Sequence, residues 1–228
     1  EQYGYFPDGA KEEPLISKNI LSKQQISNRK AAFSKKRLLK NKIFWRVSLA
    51  FMLNILLISA VAAHVMPYLS SIGITRTTAG LVATALPLTS IAGRLSFGWF
   101  ADRFNLRRVI MVGFTMTAIG MLLFGYIGTA GSGLIIPFLI VYGIGYGGLN
   151  PMRPSMIRLH FGRDNFGTTF GLLMSINLVG SVLGPIIAGR VFDHWGSYNN
   201  LWYAFASLSI IALVLIFTIR PETSADLA

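Results

Sequence analysis

Cysteine is missing altogether, and acidic side chains are scarce: nine aspartates and glutamates among 228 residues, against 21 lysines and arginines. The first absence excludes disulfides, thiolate nucleophiles and cysteine-held metals. The second sharpens once position is read, because only Asp102, Asp164 and Asp193 lie between residues 14 and 221, and none falls inside a long apolar run. The three histidines, His64, His160 and His194, are far apart. No His/Asp/Glu constellation within the apolar runs is thus present to hold a metal or form an acid–base pair. A membrane-embedded enzyme is disfavoured and no cofactor is expected. Proton relay by a carboxylate inside these runs is excluded as well. The glycines at 143, 145, 147 and 148 are no dinucleotide fingerprint, since no strand–turn–helix unit fits this composition.

What is abundant is apolar length. Hydrophobic residues make up 53% of the chain and charged ones 13%, too apolar for an ordinary soluble domain. They collect into six runs, 44–66, 77–100, 109–129, 134–152, 166–191 and 201–219. About 20 apolar residues of helix cross a bilayer core of about 30 Å. An all-α membrane protein of six transmembrane helices is expected. Trp45, Trp99, Trp195 and Trp202 fall near run ends, as an interfacial belt requires.

Charge between the runs sets orientation. Segments 1–43, 101–108, 153–165 and 220–228 are basic, whereas 67–76, 130–133 and 192–200 hold only Arg76 and His194 against Asp193. By the positive-inside rule both termini are cytoplasmic, as an even number of spans also demands. The domains expected are a basic cytoplasmic linker (1–43), a six-helix transmembrane domain (44–219) and a cytoplasmic tail (220–228), in the plasma membrane or, in a bacterium, the inner membrane. Eleven of the basic residues lie in 11–46. Beside a membrane helix, such a block is explained by topology and by attraction to anionic lipid headgroups, so lipids rather than nucleic acid are the partner it implies. Residues 17–42 form either a basic surface helix or a solvated connector. The chain opens on linker-like sequence rather than methionine, which raises two expectations: a missing upstream half, or self-association of six-helix units.

Several polar residues interrupt the apolar runs, and each has more than one reading. Arg94 lies inside the second run, where a charge usually faces a bundle interior or aqueous path. Its guanidinium offers a fixed fork of donors to a carboxylate at any working pH; otherwise it pairs with an acid elsewhere or shapes the bundle. Asn54 lies mid-span and Asn177 lies in the fifth run, either as pore-facing amides or as bridges between helices. His64, near the outer end of the first run, is either substrate-facing and proton-responsive, since imidazoles titrate near neutral pH, or an interfacial hydrogen-bonder. At 150–154, Asn-Pro-Met-Arg-Pro is expected to end or kink the fourth helix, with Arg153 in the loop beside Asp164. Tyr126, Tyr142 and Tyr146 either line a cavity or pack.

The second run ends in Gly98-Trp-Phe-Ala-Asp102-Arg-Phe-Asn105-Leu-Arg-Arg108. Gly98 is suited to close helix approach, Asp102 to pairing with Arg103, Arg107 and Arg108, and Asn105 to a left-handed turn. The cluster acts as a conformational latch or as simple anchoring. A looser copy closes the fifth run, Gly189-Arg-Val-Phe-Asp193-His-Trp-Gly196. Its place at the second helix of the other triplet fits an inverted repeat of three helices.

Residues 98–108 resemble the loop signature of the major facilitator superfamily, Gly-x-Leu-Ala-Asp-Arg-x-Gly-Arg-Arg, with Phe100, Asn105 and Leu106 departing from it. In that family the signature follows the second helix of a six-helix half. The resemblance implies the C-terminal half of the fold, an inverted 3+3 helix repeat. Ala63-His-Val-Met-Pro-Tyr-Leu, Gly93-Arg-Leu-Ser-Phe-Gly98, Phe166-Gly-Thr-Thr-Phe-Gly-Leu and Gly184-Pro-Ile-Ile-Ala-Gly189 are similar to the oxalate/formate antiporter and monocarboxylate transporter families, as is the opening Glu1-Gln-Tyr-Gly-Tyr-Phe-Pro-Asp-Gly9. Those families place a carboxylate-binding arginine four residues before the signature glycine, the position of Arg94. Dicarboxylate-handling relatives add a lysine where this chain has Asn177. The resemblance therefore implies a half-transporter for small carboxylate anions, monocarboxylates first, working by alternating access. A non-transporting receptor or scaffold on the same fold is the alternative.

Overall fold

The computed structural model describes residues 38–163 and 165–219. Expectations for 1–37, Asp164 and the tail from 220 lie outside the described residues. The chain divides into two units, Glu1–Asn41 and Lys42–Ala228. In the described part of the first, the Asn41 N–H donates to the Leu38 carbonyl at 2.9 Å.

The second unit contains six long helices among its described residues: α1 Lys42–Ser71, α2 Arg76–Arg103, α3 Leu106–Ala130, α4 Ile135–Phe161, α5 Phe166–Trp195 and α6 Asn199–Phe217. Each is long and apolar enough to cross a membrane, and they match the six apolar runs in order. Their ends follow local chemistry. Thr75 caps α2 by accepting from the Thr78 N–H at 3.3 Å. Asn105 caps α3 by accepting from the Arg107 N–H at 3.0 Å, with φ −59°. The left-handed turn expected at Asn105 is therefore replaced by an N-cap, the commoner use of an Asn before a helix. Gly196, its counterpart after α5, does take the left-handed conformation, φ 64°.

The fourth helix departs further from expectation. Pro151 and Pro154 lie inside α4, which continues to Phe161. Each proline removes one backbone bond, freeing the Gly147 and Asn150 carbonyls, a loss that membrane helices tolerate. Beside them the Asn150 amide donates to the Tyr146 carbonyl at 3.4 Å, and Ser155 Oγ donates to the Pro151 carbonyl at 3.1 Å. The helix thus carries Arg153 out of the expected loop and into the bundle.

The helices pack chiefly as α1 on α5, α2 on α4, α3 on α4 and α3 on α6, with α1 also on α6. Exchanging α1–α3 for α4–α6 maps this set onto itself, as two related three-helix units require. The pairs α1·α5 and α2·α4 run parallel and approach through residues without side chains. Gly180 and Gly184 lie against the Met52 and Leu56 carbonyls of α1, while Gly93 of α2 faces Ile144 and Gly148, and Gly147 faces Ser90. Gly98, expected to permit such an approach, has nothing within 4 Å of where a Cβ would stand. The close contact lies five residues earlier, on the buried stripe of α2 that runs through Ser90, Gly93 and Phe97.

Away from the basic links, an aromatic cluster closes the core. Tyr68 donates to the Phe124 carbonyl at 2.8 Å, and Trp202 is wholly buried, its ring 4.7 Å from that of Phe124. Trp45, Trp99 and Trp195 are exposed, so three of the four tryptophans sit as a belt would place them. Trp202 lies on the α6 face turned to Tyr68 and packs inside. Removing the phenolic oxygen in Tyr68→Phe should cost about 1 kcal/mol, read as a lowered midpoint in detergent unfolding.

Candidate functional site

Where α1, α2 and α4 meet, a cavity of about 130 Å³ is lined by Ile58, Val61 and Val65, by Ala83 and Pro87, and by Tyr142 and Tyr146, among others. Its wall is apolar apart from the tyrosines. Among the described residues nothing bonds to the buried Tyr142 hydroxyl. Tyr126 stands elsewhere, exposed against Tyr203 at 5.1 Å.

Helical periodicity extends these three walls toward the basic end of the bundle. Seven residues make about two turns, so Arg94 shares the face of α2 that presents Pro87. Arg153 shares the face of α4 that presents Tyr146. Asn54, four residues before Ile58, continues the wall of α1. Three polar residues from three helices therefore lie on the continuations of one cavity's walls, about 6–10 Å further along the helix axes.

Their surroundings differ. Arg94 is exposed, near Ile91 and Leu95, which are 50% and 72% exposed, on the part of α2 that the other described helices leave uncovered. Arg153 is only 7% exposed and Asn54 fully buried. Arg153 Nη2 donates to Asn54 Oδ1 at 3.4 Å, and its guanidinium lies 5.7 Å from the centre of the Phe51 ring. Arg153 Nε and Asn54 Nδ2 have no hydrogen-bond partner among the described residues. Neither does either amide atom of Asn177, which is 4% exposed. Asn177 lies on the buried stripe Thr169, Leu173, Asn177, Gly180, Gly184 of α5, one turn from the Gly180–Met52 contact, and thus on the face turned to α1.

Sequence reasoning selected Arg94, Asn54 and Asn177, and placed Arg153 outside the membrane. Its brackets of proline concealed it; the uninterrupted spacing from Tyr146 was the signal that could have found it.

His64 sits apart from this group. Its Nε2 donates to the Pro185 carbonyl at 3.1 Å, which leaves Nδ1 to accept from the Tyr198 hydroxyl at 3.0 Å. Burial and the Asp193 carboxylate push the Tyr198 phenol above its ordinary pKa, so it remains a donor at neutral pH. The imidazole joins α1 to α5 and to the link before α6, and a substrate contact would require one of these bonds to open. His64→Ala should cost about 2 kcal/mol, two bonds' worth, and Tyr198→Phe about half that, read as midpoints of unfolding.

At the basic end, Asp102 is exposed in the last turn of α2. Arg103 stacks on Trp99, 3.9 Å from the ring centre. Arg107 donates to the Phe217 carbonyl and Arg46 to the Thr218 carbonyl at 2.9 Å. Two cations thus meet the carbonyl end of α6, where a helix dipole favours positive charge. The arginines expected to hold Asp102 are in part turned to an aromatic face and a helix end. Arg108 is exposed and lines a shallow groove with Phe104 and Val112.

The Major Facilitator Superfamily family model matches residues 47–228. Among similar proteins, an uncharacterised MFS-type transporter of Mycobacterium tuberculosis is 29% identical over 148 residues, 64% of this chain and 24% of that protein. Monocarboxylate transporter 12 of Homo sapiens is 26% identical over 161 residues, 69% of this chain and 31% of that protein. A bicyclomycin resistance protein homolog of Haemophilus influenzae is 26% identical over 145 residues, 60% of this chain and 35% of that protein. The aligned stretches span about a third or less of these relatives. With six membrane-crossing helices paired as two exchangeable triplets, and a family match over most of its length, this multi-pass membrane chain belongs to the Major Facilitator Superfamily of transporters.

Proposed function

We propose that the chain is the substrate-binding C-terminal half of a secondary carrier for small carboxylate anions, monocarboxylates first, working by alternating access. The observation that carries the reading is the place of Arg94. A permanent cation stands on an apolar helix in line with a cavity wall, and among the described residues it has no hydrogen-bond or ion-pair partner. A cation so placed calls for an anion, and a guanidinium suits a carboxylate. The similarity to monocarboxylate transporter 12 supports the same substrate class. Asn177 supplies an amide that can orient the bound anion, whereas Asn54 is engaged with Arg153. His64 takes part only by releasing Tyr198 or Pro185.

The helices also point to a partner half. Only 28% and 22% of the core windows of α2 and α5 are buried, against 39–56% for the other four. These two offer a broad apolar surface to a second six-helix unit, either an upstream half or another copy. Rocking of two such units about the cavity gives access to each side in turn. Asp102 and its arginines would latch one of the two states, with both termini cytoplasmic in the plasma membrane.

Uptake of labelled lactate, pyruvate, formate, acetate and oxalate into proteoliposomes tests this, with the chain alone and with the full-length protein. Saturable uptake, stronger for the monocarboxylates than for oxalate, is the expected result. Absence of uptake of all five would overturn the carboxylate reading and favour the bicyclomycin-like substrate range or the receptor alternative.

A further inference from the structure

The buried pair Arg153–Asn54 is not absorbed by a carrier that binds its anion at Arg94 alone. A charge removed from water needs a counter-charge or several hydrogen bonds. Among the described residues Arg153 makes one long bond, donating to Asn54 Oδ1 at 3.4 Å. That bond also fixes the orientation of the amide, because a guanidinium can only donate. Asn54 Oδ1 must face Arg153, so Nδ2 points away as a donor. Among the described residues the linked pair thus carries two unpartnered buried donors, Arg153 Nε and Asn54 Nδ2, the number that the two oxygens of one carboxylate accept from.

From these features we infer that Arg153 and Asn54 form a second carboxylate-binding position, between Arg94 and the basic face of the bundle, to which the transported anion is handed. The inference rests on the carboxylate reading of Arg94. The parallel contact of α2 with α4 sets the separation. Gly93 stands against Gly148, so Arg94 is nearly level with Gly148. Arg153 lies five residues beyond it, about 7 Å along the axis. That offset is near enough for a single transfer from one guanidinium to the other. The Asn177 amide, buried on the stripe of α5 facing α1 with both atoms unpartnered, lies on the side from which it can take up the released anion. Two cations in sequence, one without a partner among the described residues and one bonded to an amide rather than to an acid, let an anion leave one for the other without crossing bare hydrocarbon.

Asn54→Asp is the deciding variant. It places a carboxylate on the chain where the substrate's would bind, so Arg153 is neutralised from within. In the full-length protein, reconstituted in each orientation, the half-saturating lactate concentration should rise at least tenfold at the basic face. It should change less than twofold at the opposite face. The thermal midpoint should hold or rise, because the new charge is compensated. Arg153→Lys, which keeps the charge and loses the fork, should give an intermediate loss at the basic face. If Arg153 is already matched by an acid from another part of the protein, Asn54→Asp instead buries an unmatched charge. The midpoint would then fall by more than about 5 °C, and the inference is overturned. Unchanged half-saturation at both faces overturns it too. Uptake abolished by Arg94→Ala yet indifferent to Asn54→Asp would remove this position and leave the proposed function standing. A wild-type protein taking up none of the five acids would remove both.

Discussion

Arg94→Ala is expected to abolish carboxylate uptake while leaving the folded protein intact. The two halves of that expectation have separate grounds. Arg94 is exposed, and among the described residues its guanidinium joins no hydrogen bond, so its truncation removes nothing the helices use to hold together. Loss of a charged donor fork from a bound carboxylate costs about 2–4 kcal/mol, or roughly 30- to 700-fold in affinity. Arg94→Lys keeps the charge and forfeits the paired donors, so about a tenfold weakening is expected, with maximal uptake partly retained. Initial rates across a lactate series measure both, with the thermal midpoint as control. Wild-type uptake by Arg94→Ala would remove Arg94 from the substrate path, and equal losses in the alanine and lysine variants would mean that charge counts for nothing without the fork.

How much of this was readable beforehand divides along physical lines. Six spans and their order follow from apolar length alone, because a bilayer demands about 20 apolar residues whatever the neighbours are. A polar residue inside a run is equally conspicuous, which is why Arg94, Asn54 and Asn177 were visible as candidates. Which face a residue takes is a property of helix pairing, and one sequence does not declare the pairs. Asn177 turned out to lie on the stripe facing α1, and Trp202 packs inward on Tyr68 rather than at a surface belt. Arg153 was misplaced for a different reason. Proline is costly in a soluble helix and tolerated in a membrane one, so applying the soluble rule to Pro151 and Pro154 cut α4 short and hid a buried cation. The loop at 98–108 was recognisable as a signature, whereas the role of its glycine was not. Gly98 faces open space and Gly93 makes the contact, a distinction of rotation about the helix axis.

That rotation yields the second large expectation. Gly93→Ala, Gly147→Ala and Gly184→Ala should each destabilise the bundle severely, while Gly171→Ala should be neutral or slightly stabilising. A methyl at Gly93 would overlap the Ile144 carbonyl, one at Gly147 the Ser90 backbone, and one at Gly184 the Leu56 carbonyl. In each case the obstacle is backbone of a neighbouring helix, which cannot rotate aside as a side chain can. The paired helices must separate, and overpacking of this kind costs about 1–3 kcal/mol or more. Separation also loosens the dispersion contacts on which helix association in lipid depends. Gly171 is exposed on α5 with nothing within 4 Å of a Cβ, so there the higher helix propensity of alanine, up to about 1 kcal/mol, is unopposed. All four substitutions add the same methyl to a helical glycine, so a difference among their unfolding midpoints reports packing alone. The α2·α4 and α1·α5 contacts correspond under the exchange of triplets, and comparable losses at Gly93 and Gly184 are expected on that ground. A tolerated methyl at either position would mean that the pair stands further apart than the Gly93–Ile144 and Gly184–Leu56 contacts require, and the cavity wall that aligns Arg94 with Pro87 would shift with it.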